Sequence, residues 1–179
     1  MSTIYVRKAT KEDLPAMMLI INEAKRLLKA DGSQQWQNGN PNEQIILNDI
    51  EQGYAHLLNV DDKIAGTAAL LTDPDPNYET ILDGSWKNNS APYATIHRIA
   101  ISDQFRGRGL ASYFMSNLIS LAYHQGFQNI RIDTHEKNVR TQGLIKKFGF
   151  AYRGRIFVDP SPDGERKAYE LNLGESRAD

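Results

Sequence analysis

The sequence predicts an α/β protein built on a mixed β-sheet of about seven strands, mostly antiparallel, with four helices. Residues 93–125 read as a strand, a glycine turn and a helix, because apolar residues alternate first and then recur at helical spacing. Residues 54–71 and 150–173 each show two apolar runs separated by a polar turn, the pattern of a β-hairpin. The chain has 179 residues, 40% of them hydrophobic, and no linker divides it, so we expect one domain over residues 1–179.

The amino-terminal part supplies a strand and two helices before the first hairpin. A short strand near Ile4 is followed by a helix that Thr10 can cap and that ends around Asp31. A second helix is expected from residue 41 or 42 to about residue 51. Between the hairpin and the central strand, residues 73–92 contain three of the seven prolines and are too irregular for one element.

The carboxy-terminal part begins with the central strand, Tyr93–Ile101, and the helix after it, which reaches about Gln125. The next strand ends in Asp133, and a further helix is predicted over Asn138–Phe148. The second hairpin then completes the sheet.

The glycine turn between the central strand and its helix has the form QxxGxG, from Gln104 to Gly109. The first N–H groups of a helix have no partner inside it, and the helix dipole adds partial positive charge there, so an anion can dock. Gly107 and Gly109 let the backbone approach that anion, and Arg106 and Arg108 add positive charge. We predict a pyrophosphate site, the alternative being a simple turn between strand and helix.

The turn resembles the acetyl coenzyme A motif of the GNAT superfamily of N-acetyltransferases, [QR]xxGx[GA], in which Gln104, Gly107 and Gly109 fill the three named positions. A second family segment, an asparagine followed by a helix that ends in GF, is matched by NVRTQGLIKKFGF at residues 138–150. The resemblance extends over nearly the whole chain and is weakest between residues 31 and 92. It implies the GNAT fold, in which a parallel pair of strands splays open to admit the cofactor.

The resemblance also implies a cosubstrate and the residues that hold it. Acetyl-CoA would donate an acetyl group to an amine, with the pantetheine arm along the central strand and the pyrophosphate on the turn. Asn138 matches a family asparagine that contacts the cofactor. The implied cofactor-binding residues are Ile99, Ala100, Ile101, Gln104, Arg106, Gly107, Arg108, Gly109, Leu110, Ala111, Ser112 and Asn138.

Amine acylation needs a group that removes the amine proton. The candidates are Asp133, at the spacing where some GNAT members carry a catalytic glutamate, His97, which precedes the pantetheine strand, and less plausibly His135. We rank Asp133 first and His97 second, although either could be structural. Many GNAT enzymes also carry a tyrosine that protonates the leaving thiolate, and the matching position here is Ile145. Tyr113, Tyr152 and Thr141 are the nearby hydroxyls.

Composition narrows the function classes. A formal net charge of -1 and a pI near 6.4 argue against nucleic acid as a partner. The absence of cysteine excludes disulfides and an acyl-cysteine, so acetyl transfer would be direct, inside a ternary complex. Histidines without metal-binding spacing predict no metal. No apolar signal core or membrane-spanning run is present, so we expect a cytoplasmic protein without a membrane partner.

The acceptor is least determined by the sequence. Residues 73–83 carry four acidic side chains, which form either a solvated loop or a rim that attracts a small cationic amine or a peptide amino terminus. Trp36, in a polar loop, is expected to anchor in the core or to contact the acceptor. The C-terminal hairpin could pair two copies into a homodimer. The competing functions are a non-catalytic module that binds acyl-CoA and a dinucleotide-binding domain, whose fingerprint GxGxxS at residues 107–112 lacks the third glycine.

Overall fold

The computed structural model describes residues 1–174, so the last five residues of the expected domain, 175–179, lie outside it. The described residues contain seven strands and four α-helices, which confirms the predicted architecture. The strands are β1 (Ile4–Lys8), β2 (Ala55–Val60), β3 (Lys63–Leu71), β4 (Tyr93–Ile101), β5 (Asn129–Thr134), β6 (Ala151–Phe157) and β7 (Glu165–Asn172), and the helices are α1 (Leu14–Ala30), α2 (Glu43–Glu51), α3 (Leu110–His124) and α4 (Val139–Lys147).

The helices begin after short polar residues or after glycine. The Asn42 side chain accepts a hydrogen bond from the Ile45 N–H at 3.0 Å and caps α2. Gly109, in the left-handed conformation, precedes α3. Thr10 caps a short 3-10 turn at Lys11–Asp13 instead of α1 itself, which begins at Leu14 once that turn is complete.

The strands form one sheet in the order β1-β2-β3-β4-β5-β7-β6, in which every neighbouring pair is antiparallel except β4 and β5. That parallel pair is registered over three residues only, Tyr93 to Thr95 against Asn129 to Arg131. β4 also carries a bulge, because its register with β3 passes from Thr67↔Ala100 to Ala69↔His97. The two central strands therefore separate beyond Thr95 and leave a gap in the sheet.

In the part of the chain that the structure describes, three apolar clusters hold the sheet and its helices together. The largest joins α3 and α4 to the centre of the sheet, and a second joins α1 and α2 to β2. The segment between β3 and β4 is irregular, as expected, and contains one 3-10 turn at Pro76–Tyr78. Its Tyr78 and Trp86 are buried against Ile156 and Ala168 of β6 and β7, so this segment is packed onto the sheet. Within residues 1–174, no helix is both long and apolar enough to cross a bilayer.

Candidate active site

A cavity of about 1020 Å³ occupies the gap between β4 and β5. It extends from the glycine turn at one end to the 3-10 turn at Pro76–Tyr78 and the start of β7 at the other. Of the fourteen residues made up of the two ranked bases and the implied cofactor-binding set, twelve line it, namely His97, Ile99, Ala100, Ile101, Arg106, Gly107, Gly109, Leu110, Ala111, Ser112, Asp133 and Asn138. The other two, Gln104 and Arg108, line a separate, smaller pocket beside Lys63. Arg108 lies over the ring of Phe105, 5.3 Å from its centroid.

The glycine turn has the open backbone that the sequence predicts. Gly107 and Gly109 have φ angles of 77° and 72°, in the left-handed region that side-chain-bearing residues rarely adopt. Among residues 1–174, apart from the two chain neighbours of each glycine, no atom lies within 4 Å of the place where a Cβ would sit. Arg106 forms an ion pair with Asp103, and its Nη2 is buried without a hydrogen-bond partner among the described residues. An anion on the turn would supply that missing partner.

Lys147 adds a positive charge at this end of the cavity that the sequence did not single out. Its Nζ donates a hydrogen bond to Ser112 Oγ at 2.8 Å, which ties the end of α4 to the start of α3. The lysine is the last residue of α4, two helices and one strand after the glycine motif, so no local spacing connects the two.

His97 lies between two carboxylates at the other end of the cavity. Its Nε2 is 2.8 Å from Asp75 Oδ2 and its Nδ1 is 3.7 Å from Asp133 Oδ2. The Tyr78 hydroxyl donates to the same oxygen of Asp133 at 2.7 Å. We call Asp75, Tyr78, His97 and Asp133 the His97 cluster. The structure thus brings both candidate bases together, and it adds two residues whose pairing with them was not anticipated.

Burial and charge set the protonation of this cluster. Burial acts to raise the pKa of the Asp75 carboxyl, but the hydrogen bond and charge of His97 bring that pKa below its ordinary value overall. Burial, together with the neighbouring Asp133 carboxylate, raises the pKa of the Tyr78 hydroxyl far above its ordinary value. Tyr78 therefore stays protonated and donates, while Asp75 stays ionised and fixes the Nε2 side of the imidazole.

Asn138 lies at the junction of β5 and α4, where it caps the helix. Its Oδ1 accepts from the Thr141 N–H at 3.2 Å, and its Nδ2 donates to Gln35 Oε1 at 3.0 Å. The same Gln35 oxygen accepts from Thr134 Oγ1 and from the His135 N–H, each at 3.3 Å. Gln35 thus fastens the loop after α1 to the strand that carries Asp133. His135, the third candidate base, has its Nδ1 facing the Lys137 N–H at 3.2 Å.

A model of the acetyltransferase (GNAT) family matches residues 21–150. The chain belongs to this family. Acetyl transfer that depends on acetyl-CoA is general to the family.

Solved structures agree with that assignment. A GNAT family acetyltransferase from Streptococcus agalactiae is similar at 38% identity and a TM-score of 0.87, with 96% of each chain covered. One from Listeria monocytogenes is 22% identical over 95% of each chain, with a TM-score of 0.74. The ribosomal-protein-S18-alanine N-acetyltransferase of Escherichia coli is 17% identical, with a TM-score of 0.68 over 97% of this chain and 96% of that one, and supports the fold alone. A search of the curated proteins finds no match.

The GNAT tyrosine position is occupied by a core residue. Ile145 is fully buried in the largest apolar cluster, while its neighbour Leu144 lines the cavity. Of the three nearby hydroxyls, Thr141 lines the cavity. The Tyr113 hydroxyl donates to the Ile4 carbonyl at 3.0 Å, and the half-exposed Tyr152 packs edge-on against Tyr169 of β7.

The acidic segment of this GNAT chain is largely paired within the molecule. The Tyr54 hydroxyl donates to Asp73, Asp75 belongs to the His97 cluster, and Arg155 pairs with Asp83. Asp73 and Asp75 line the cavity. Trp36 packs against the cluster under α1 and α2 and also lines the cavity, so both roles expected for it are compatible with its place.

Proposed function

We propose that this protein is an N-acetyltransferase that moves an acetyl group from acetyl-CoA to a primary amine of a small molecule or a peptide. The observation that carries the proposal is the single cavity between β4 and β5, which joins the glycine turn to the His97 cluster. A cofactor that rests its pyrophosphate on the turn and follows β4 would bring its thioester toward His97 and Asp133. We further infer one domain and a cytoplasmic location.

The reaction we propose is direct transfer within a ternary complex. The amine nitrogen attacks the thioester carbonyl carbon, a C–N bond forms, and the C–S bond breaks to release the coenzyme A thiolate. The proton of the amine passes to the Asp133–His97 pair, with water as a relay where the carboxylate lies too far away. Backbone groups of Ile99 to Ile101 hold the pantetheine arm and polarise the carbonyl oxygen. With no cysteine in the sequence, no acyl-cysteine intermediate enters this route.

The geometry of the turn supports the roles that we propose for the residues of the cofactor site. Gly107 and Gly109 allow the phosphates to approach the first N–H groups of α3, and the buried Nη2 of Arg106 supplies a charged donor. Gln104 and Arg108, which face the smaller pocket, would support the turn from behind. Asn138 would act by fixing the start of α4 next to the cofactor.

Ligand binding and acetyl transfer test the proposal in two steps. We expect acetyl-CoA to raise the melting temperature, since a ligand at about 100 times its Kd stabilises the folded state by about 2.7 kcal/mol, and NAD to leave it unchanged. Polyamines, amino acids, aminoglycosides and peptides are then incubated with acetyl-CoA, and thiol release is measured. Stabilisation by NAD would favour a dinucleotide-binding domain. Stabilisation by acetyl-CoA with no transfer to any amine would favour a non-catalytic module.

A further inference from the structure

Arg166, near the start of β7, is a buried cation that faces the cavity. Its side chain lines the cavity, and the residue is only 8% exposed. Its Nη1 donates to two backbone carbonyl oxygens, that of Asp163 at 2.6 Å and that of Glu165 at 2.9 Å. Within residues 1–174, no carboxylate lies at ion-pair distance from this guanidinium. The guanidinium is thus anchored at one nitrogen and has no ion-pair partner in the described part of the chain.

The register of the sheet places Arg166 on the same face as Asp133. Asp133 of β5 lies opposite Ala168 of β7, and Arg166 is two residues before Ala168 along that strand. Diagonal neighbours of this kind have their Cα atoms roughly 7–8 Å apart, within reach of long side chains. The wall of the cavity therefore presents an acidic residue and a basic residue side by side, next to His97.

The nearby carboxylates do not neutralise Arg166 by direct contact. Burial lowers the pKa of its guanidinium below the ordinary value, and the charges of Asp133, Asp159 and Asp163 oppose that shift. Asp159, which also lines the cavity, accepts hydrogen bonds from the N–H and hydroxyl of Ser161. A buried cation that has no ion-pair partner is costly, and a bound anion relieves that cost.

We propose that the acceptor is an amine that carries a carboxylate close to its nitrogen, as in an amino acid, with the carboxylate bound by Arg166. The proposal rests on the proposed function. A guanidinium presents its donors as a planar fork that matches the two oxygens of a carboxylate. The amine would then lie toward Asp133 and His97, where its proton is removed. A polyamine would instead place a second cation against Arg166, and the amino-terminal residue of a peptide offers only a neutral carbonyl next to its amine.

Matched acceptors test this inference. The natural protein and Arg166→Gln are assayed with acetyl-CoA and the common amino acids. Each amino acid is compared with its carboxamide and with the corresponding amine that lacks the carboxyl group. The natural protein is expected to favour the acids, and Arg166→Gln to lose roughly 10- to 100-fold in kcat/KM for them, the usual worth of hydrogen bonds to a charged group. The amides should change by less than about threefold. Glycine beside aminomethylphosphonate distinguishes a carboxylate from another oxyanion.

Two controls separate failure of the inference from failure of the proposed function. Thermal melting and acetyl-CoA calorimetry of Arg166→Gln and Arg166→Lys show whether the fold and the cofactor site survive. Arg166→Lys keeps the positive charge but lacks the planar, two-pronged set of donors that a guanidinium offers to a carboxylate. Amino-acid binding to the natural protein saturated with coenzyme A is also measured, since it needs no turnover. Amino-acid binding without acetyl transfer would support the carboxylate site at Arg166 and would count against the proposed acetyltransferase activity. Equal use of acids and amides, an equal loss for both in Arg166→Gln, or no amino-acid binding would overturn the inference.

Discussion

Arg98 and Asp49 form an ion pair through two parallel hydrogen bonds, from Nε to Oδ2 and from Nη2 to Oδ1, both at 2.7 Å. Arg98 lies in the bulge of β4 with a φ angle of 56°, which is uncommon for a residue with a side chain. Asp49 is a buried residue of α2. The pair therefore holds a strained stretch of backbone next to the residues expected to contact the cofactor, and it does so from a helix outside the sheet.

Asp49→Asn should weaken both the fold and the cofactor site, because it leaves the Arg98 charge unpaired. We expect the free energy of unfolding to fall by about 3 kcal/mol and the Kd for acetyl-CoA to rise, as measured by urea denaturation and calorimetry. Glu51→Gln is the control on the same helix, since the exposed pair of Glu51 with Lys11 should contribute little. Equal effects from the two substitutions would show that the bulge does not depend on Asp49.

Gly109→Val should abolish acetyl-CoA binding, because a β-branched side chain would stand where phosphate must approach. Gly126→Val is a matched control at the other end of α3, where the glycine has a φ angle of 92° and equally open surroundings. Both variants carry the strain of a β-branched residue at positive φ. Calorimetry on the folded proteins should show binding lost only in Gly109→Val. Unchanged affinity of Gly109→Val for acetyl-CoA would show that the cofactor does not bind at the glycine turn.

Asp133→Asn should lower turnover by about 10²- to 10⁴-fold and remove the acidic limb of the pH profile of kcat, since the limb reports protonation of the base. His97→Gln is compared in the same assay, because its imidazole contacts the same carboxylate. Tyr78→Phe is the control that keeps a ring in this cluster and removes one hydrogen bond to Asp133. If Asp133→Asn keeps both its turnover rate and the acidic limb of its pH profile, while His97→Gln loses both, then His97 is the base.

Ile145→Tyr should raise turnover, because it restores a proton donor at the family position, or leave turnover unchanged if Tyr152 already protonates the leaving thiolate. The natural enzyme is expected to be active without the family tyrosine. The variant should lose about 1–3 kcal/mol of stability, because a larger side chain must fit into a filled core. Thr141→Val, which removes a hydroxyl that lines the cavity, shows whether that group assists the leaving thiolate. A natural protein that binds acetyl-CoA and transfers nothing, beside an active Ile145→Tyr, would indicate a binding module.

Patterns in neighbouring residues of the sequence predicted the fold and the end of the cavity that contains the glycine turn. The strand, glycine turn and helix at residues 93–125 are contiguous, so alternation, helical spacing and two glycines identify them together. The caps and hairpins are local in the same way, and β4 was expected over the same residues that it spans, Tyr93–Ile101. Several boundaries differ by a few residues: β5 continues to Thr134 rather than ending at Asp133, and α4 spans Val139–Lys147 rather than Asn138–Phe148.

Contacts between distant residues could not be predicted in this way. His97 is 22 residues from Asp75, and Tyr78 is 55 residues from Asp133, so only the folded sheet brings the cluster together. Arg166 stands among other charged residues at the start of a hairpin strand, and nothing in its neighbours indicates that it is buried. The acidic side chains of residues 73–83 are visible in the sequence, but two of their partners, Tyr54 and Arg155, lie in other elements.

Because β4 and β5 pair over only a few residues, this sheet has more unpaired strand edges than its strand order suggests. Besides the outer strands β1 and β6, the facing sides of β4 and β5 beyond Thr95 and Arg131 carry backbone groups with no strand partner. An exposed edge of that kind invites pairing with another polypeptide and hence aggregation. Here both inner edges line the cavity. A slender ligand with amide groups of its own can hydrogen-bond to these inner edges.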